Sequence, residues 1–144
     1  MSRSGALDRI DALLGTVTDP AFSAVIRGEP MSISQTPVLA FWINGRSVDF
    51  LTLADESSRV DMTIRAYFRM QVSQDVRESV ELDLWDAAVN IDTALRGDSD
   101  LAGNVTDIEI GDMSTAYTDM SGVAYRTLDV PLTLILMGDV AIAP

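Results

Sequence analysis

The clearest polar and apolar pattern in the chain runs from Asp75 to Gly97. At about 100° per residue, Val76, Val80, Leu84, Ala87, Ala88, Ile91, Ala94 and Leu95 fall on one face, which predicts a helix. Asp75 followed by Glu78 has capping-box spacing, so the helix is expected over about 76–96. Arg96 suits the last turn, and Gly97 is placed to take a left-handed C′ conformation. The back of this helix is not simply polar. Leu82, Trp85 and Val89 make a second, narrower stripe between Asp83, Asp86 and Asn90 on one flank and Glu81 and Asp92 on the other. Two stripes imply two partners: a sheet for the first, and another helix or another subunit for the second.

Alternation of period two marks the strands. From Val60 to Met70, Val60, Met62, Ile64, Ala66, Phe68 and Met70 point one way, while Asp61, Thr63, Arg65, Tyr67 and Arg69 point the other. Before this strand, VLAFWI and RSVDFLTL flank Asn44-Gly45, the dipeptide of a type I′ turn, so a hairpin is expected there. Its pairing would put Leu39, Phe41, Ile43, Val48 and Phe50 on one face and Trp42 on the other. Trp42 then reads either as a core residue under the N-terminal helices or as a contact anchor. Residues 54–59, ADESSR, read as a turn.

Two further strands are expected after the long helix. One lies within Asn104–Met113, with Thr106, Ile108 and Ile110 on one side, and a longer one covers residues 123–137. In the longer one Pro131 lacks a ladder donor and predicts an edge or a bulge. Residues 111–122, rich in Ser, Thr and Asp, read as a connection or protruding hairpin tip. At the N-terminus, residues 4–17 carry Leu7, Ile10, Leu14 and Val17 at helical spacing. Asp19-Pro20 reads as a cap opening AFSAVIR, which stops at Gly28, so two short helices or one broken at Gly15 to Pro20 are expected, and residues 29–37 read as an extended loop. The sum is an α+β domain spanning 1–144: an antiparallel sheet of about five strands, the long helix and N-terminal helices packed on it, and flexible termini at 1–4 and 138–144.

Composition then removes chemistry. The 144 residues are 47% hydrophobic, enough for one domain burying about two-thirds of its unfolded surface. Cysteine, histidine and lysine are all absent, which excludes thiolate and imidazole metal sites, Ser–His–Asp and Cys–His catalysis, Schiff-base lysines and phosphate-binding Walker lysines. No apolar run or leader predicts a membrane span or secretory signal. The net charge of −12 argues against sequence-independent nucleic-acid binding, though not against a surface that DNA passes without adhering.

Carboxylate chemistry is what remains. Asp98, Asp100, Gly103, Val105 and Glu109 fall at positions 1, 3, 6, 8 and 12 of an EF-hand loop. Ala102 removes the ligand at position 5, however, and a strand follows where a helix is needed. The expectation is a helix-to-strand turn with Gly103 at positive φ. Asp83, Asp86 and Asn90 read as a solvated helix flank. No catalytic residue, metal site or cofactor is expected, and the chain is not read as an enzyme. Arg65, Tyr67 and Arg69 form a row of interface-prone residue types, available either to a neighbouring chain or to cross-strand acids.

The order of elements, with the phrases TPVLAFWINGR, RVDMTIRAYFRM, ALRGDSDLAGNV and YRTLDVPLTLIL, resembles the tail terminator (tail completion) proteins of long-tailed bacteriophages, the lambda tail terminator family. The resemblance implies a small α+β subunit that forms a homo-oligomeric ring, usually a hexamer. Such a ring caps the head-proximal end of the tail tube, stops its polymerisation and meets the head–tail connector protein. It further implies assembly in the host cytoplasm and residence in the virion, with tail tube protein and connector as partners and no membrane. DNA would pass through the lumen without specific binding, repelled by the acidic charge. The candidate subunit contacts are Arg65, Tyr67, Arg69, Leu82, Trp85 and Val89. Two alternatives keep the same sequence features: another head–tail joining or tube-like subunit, and a small ligand-binding α+β domain with a pocket between helix and sheet.

Overall fold

The computed structural model describes residues 3–50, 56–70 and 74–137. The expected flexible termini therefore lie outside the described residues, except for Arg3 and Ser4, which begin a helix. The chain is α+β, with two helices on one face of a six-stranded mixed sheet. In chain order the elements are α1 (Arg3–Gly15), β1 (Ala24–Arg27), β2 (Val38–Phe50), β3 (Glu56–Arg69), α2 (Gln74–Arg96), β4 (Asp107–Ile110), β5 (Ser114–Met120) and β6 (Val123–Met137). The sheet order is β1-β2-β3-β6-β4. β5 pairs with β6 on the same side as β4, so the two short strands share one edge in succession.

β3 alternates as the sequence predicts. Met62, Ile64, Ala66 and Phe68 are buried toward the helices, and β6 sets Leu128, Val130, Leu132 and Leu134 beside them. The first stripe of α2 closes this layer: Val80, Leu84, Ala87, Ile91 and Leu95 are buried against the sheet. α1 lies alongside with Ala6, Ile10, Leu13 and Leu14 buried, and α2 starts at Gln74, slightly before the expected position. The Asp75 side chain, the expected cap, lies outside the described residues.

The second N-terminal helix is not formed, so one helix, not two, precedes the sheet. Residues expected as AFSAVIR supply β1, which runs parallel to β2 with Ala24 opposite Val38. The reason lies at Asp19-Pro20. There a bridge between Thr18 and Ala21 closes a tight turn around the dipeptide, so the chain reverses where a helix was expected to open. β-branched Val25 and Ile26 then suit an extended conformation. The extended segment 28–37 is a loop as expected, and it carries the chain from β1 across to β2.

The Asn44-Gly45 hairpin is also overturned. β2 runs straight through the dipeptide, which forms a β-bulge: Ile43 pairs with Met62 and Gly45 with Asp61, leaving Asn44 as the extra residue. A two-residue turn and a one-residue bulge both shift side-chain parity by one. Leu39, Phe41, Ile43, Arg46 and Val48 therefore share a face, as the hairpin reading had placed them. What differs is the chain direction. β2 continues to Phe50 and pairs antiparallel with β3, which begins at Glu56, so ADESSR is not a turn throughout; residues 51–55 lie outside the described residues. Asn44 Nδ2 donates to Thr63 Oγ1 at 2.5 Å, tying the bulge to β3. Deleting Asn44 should therefore be tolerated: the ladder becomes regular, the faces are kept, and the loss is that of one exposed hydrogen bond, about 1 kcal/mol. Urea melts of the deletion variant check this; loss of the cooperative transition would show that Asn44 serves as a turn.

Residues 114–120, expected within a connection, form β5, paired to β6 through a two-residue turn at Ser121 (φ 52°) and Gly122 (φ 78°). This is the sixth strand. Pro131 sits in β6, flanked on both sides, yet its missing donor breaks no pairing. Its carbonyl accepts from Gly111 N–H at 2.9 Å on the β4 side, and a strand residue's N–H points the same way as its C=O. The absent N–H therefore faces the gap between β4 and β5.

Candidate functional site

Two surfaces on opposite sides of the fold carry the residues of interest. The outward row of β3 lies on the sheet face without helices. Arg65 is gripped by Asp129 on β6, with Nε donating to Oδ1 and Nη2 to Oδ2 at 3.0 Å. Its guanidinium also lies 5.2 Å from the Trp42 ring centroid. Trp42 is therefore half-buried under an arginine on this face, not beneath the N-terminal helix. Asp129 is the main cause that holds Arg65 protonated, above its ordinary range.

Tyr67 is only 1% exposed and meets Tyr125 edge-on, with ring centroids 6.2 Å apart. It belongs to a second apolar cluster with Val38 and Ala40, onto which Ile33 of the 28–37 loop and Met120 of β5 pack. Burial raises the Tyr67 phenol above its usual range, partly offset by the nearby Arg65. Arg69, at the end of the row, is exposed and has no ion-pair partner among the described residues. The row thus holds one buried ring, one arginine committed within the chain and one solvent-facing arginine.

The second surface is the back of α2. Leu82, Trp85 and Val89 are 63%, 74% and 53% exposed, so the N-terminal helix does not cover them. On one flank Arg126 of β6 donates to Glu81 at 3.0 Å and sits 4.6 Å from the Tyr117 ring, itself exposed on β5. Tyr117 lies across Arg126 from the Glu81 flank of the helix. Sequence reasoning missed it because β5 lacks apolar alternation, and only its aromatic character within a Ser/Thr run signalled it.

Several carboxylates are held within the chain. Asp98 accepts from Arg9 Nε and from Ala102 N–H, while Glu109 pairs with Arg59. Positions 1 and 12 of the apparent calcium loop are thus turned to different arginines. Gly103 has positive φ as expected, and so do Leu101 (49°) and Ala102 (58°). Leu101 is fully buried, which anchors the left-handed run by packing. Gly97 is not left-handed. Its N–H continues the helical pattern to Thr93 O at 3.1 Å, and the left-handed residues come four to six positions later. Asn90 donates to Asp19 O, and Asp83 is pushed up first by burial, then by Asp86 and Asp19. No group of three or more acids that could hold a metal occurs among the described residues, and no helix among them is long and apolar enough to cross a membrane.

Asp98 makes an acid-sensitive joint between α1 and the turn after α2. Arg9 first, then the Ala102 N–H, holds its carboxyl below the usual range. A depressed native pKa stabilises the fold above the unfolded carboxylate pKa, and that contribution is lost as pH falls through the lower native value. Asp98→Asn should therefore destabilise the protein near neutrality and flatten the part of the acid limb below about pH 4. Urea melts across that range check it; parallel acid limbs for variant and wild type would contradict it.

The chain matches no protein-family model and no curated protein sequence.

Proposed function

We propose that this protein is a structural assembly subunit, a tail terminator that closes into a ring on the head-proximal end of a phage tail tube. The observation that carries the reading is the exposed Leu82–Trp85–Val89 stripe on the back of α2, whose front is fully committed to the core. Trp85 at 74% exposure, with Tyr117 and Arg126 nearby, combines the residue types that dominate protein interfaces. A second surface, the sheet face ending in Arg69, lies on the opposite side. A stripe that seats on a different surface of the next copy joins subunits head to tail, as ring closure requires, and leaves the sheet face ending in Arg69 for the tube or the connector. On this reading Leu82, Trp85, Val89 and Arg69 meet neighbouring chains, and Arg65 and Tyr67 stiffen the sheet behind them.

The ring would bind the tail tube protein on one side and the head–tail connector on the other. With a net charge of −12 per copy, its lumen would let DNA pass without holding it. The test is tube growth. Purified tube subunits polymerising in the presence of this chain, added well below equimolar amounts, should stop at short lengths by light scattering. Growth curves that match those without the chain, at every ratio, would sink the reading.

A further inference from the structure

The stripe on α2 is flanked unequally: Asp83 and Asp86 on one side have no ion-pair partner among the described residues, while Glu81 and Asp92 on the other are held by Arg126 and Arg96. Pairing two copies antiparallel, stripe to stripe, would set Asp83 and Asp86 of one copy against those of the other, so that two-fold contact is disfavoured. A partner surface has to be apolar and cationic.

On a chain with a charge of −12, few surfaces meet that description. Arg9, Arg27, Arg59, Arg65, Arg96 and Arg126 are held in ion pairs within the chain. Arg77 also has an interaction of its own. Arg3, Arg46 and Arg69 have no ion-pair partner among the described residues. Of these three, Arg46 stands beside a large exposed aliphatic side chain, Ile43, 55% exposed. The bulge explains their proximity. With Asn44 as the extra residue and Gly45 turned to the other face, Ile43 and Arg46 become successive positions on one face of β2. Half-buried Val60, opposite Arg46, extends the apolar ground.

We propose that the α2 stripe of one copy seats on the Ile43–Arg46 patch of the next, with Trp85 against Ile43 and the Asp83–Asp86 flank beside Arg46. The contact is heterologous: each copy uses its stripe once and its patch once. This inference rests on the ring reading and specifies which two surfaces make the ring.

Sedimentation velocity on wild type, Trp85→Ala, Arg46→Glu and an equimolar mixture of the two variants tests it, with thermal melts confirming that each variant is folded. If Arg46→Glu fails to fold, Ile43→Ser takes its place. Wild type should self-associate, and each variant alone should weaken association by about thirtyfold or more, the scale of a lost hot spot. The mixture should give one-to-one dimers and nothing larger, because the intact patch of the Trp85 variant still accepts the intact stripe of the Arg46 variant.

A mixture that stays monomeric overturns the proposal. So does an Arg46→Glu protein that associates like wild type while Trp85→Ala does not; the stripe would then have another occupant, such as a basic-rimmed partner protein. Wild type that stays monomeric at millimolar concentration also overturns this contact. The ring reading is decided separately, by the tube-growth assay.

Discussion

Truncating Ile91 to alanine should cost the fold about 2–5 kcal/mol, the range for removing a buried aliphatic side chain and leaving part of its space empty. Ile91 is fully buried in the middle of the inward face of α2, among the side chains that join both helices to the sheet. Single domains are commonly stable by only about 5–15 kcal/mol, so this loss is a large fraction of the whole. The midpoint of a urea melt should fall sharply with little change in slope. A midpoint near that of wild type would mean that α2 is not part of the core that holds the sheet.

Trp85→Ala, six residues earlier on the same helix, should do the opposite. With Trp85 74% exposed, its truncation should change monomer stability by no more than about 0.5 kcal/mol, as for most surface substitutions. Assembly should suffer instead. An exposed tryptophan that becomes buried in an interface is a typical hot spot, worth about 2 kcal/mol or more of binding energy. At a concentration where wild type is monomeric the melting curves should therefore overlay, while at higher concentration the variant's size distribution shifts to monomers. A lower melting midpoint with unchanged assembly would return Trp85 to a role within the chain. Ile91 and Trp85 thus lie on a buried face and an exposed face of one helix.

That division was legible in the sequence because both stripes obey helical periodicity and differ only in width. The β3 alternation was equally plain, since a strand buried on one side writes its environment into every second residue. What escaped the sequence has three physical causes. Asp19-Pro20 suits a helix start and a tight turn alike, and with the turn formed Val25 and Ile26 pair with β2 as a strand. Asn44-Gly45 suits a type I′ turn and a bulge alike, and both preserve which side chains face the core, so the pattern could not report the direction of the chain. β5 is an exposed edge strand, with little burial to impose alternation on Ser114–Met120. For the candidate surfaces, the stripe could be read outright. The fate of the Arg65 row could not, because the pairing of Arg65 with Asp129 and the burial of Tyr67 depend on strand register and on where the 28–37 loop crosses.

The most direct test of the account is electron microscopy of this chain added to preformed tail tubes, with Trp85→Ala alongside. The account predicts a ring of wild-type subunits seated on one end of each tube and bare ends with the variant. Wild-type chains scattered along the tube wall, absent from the ends, or seated there equally well without Trp85 would contradict it.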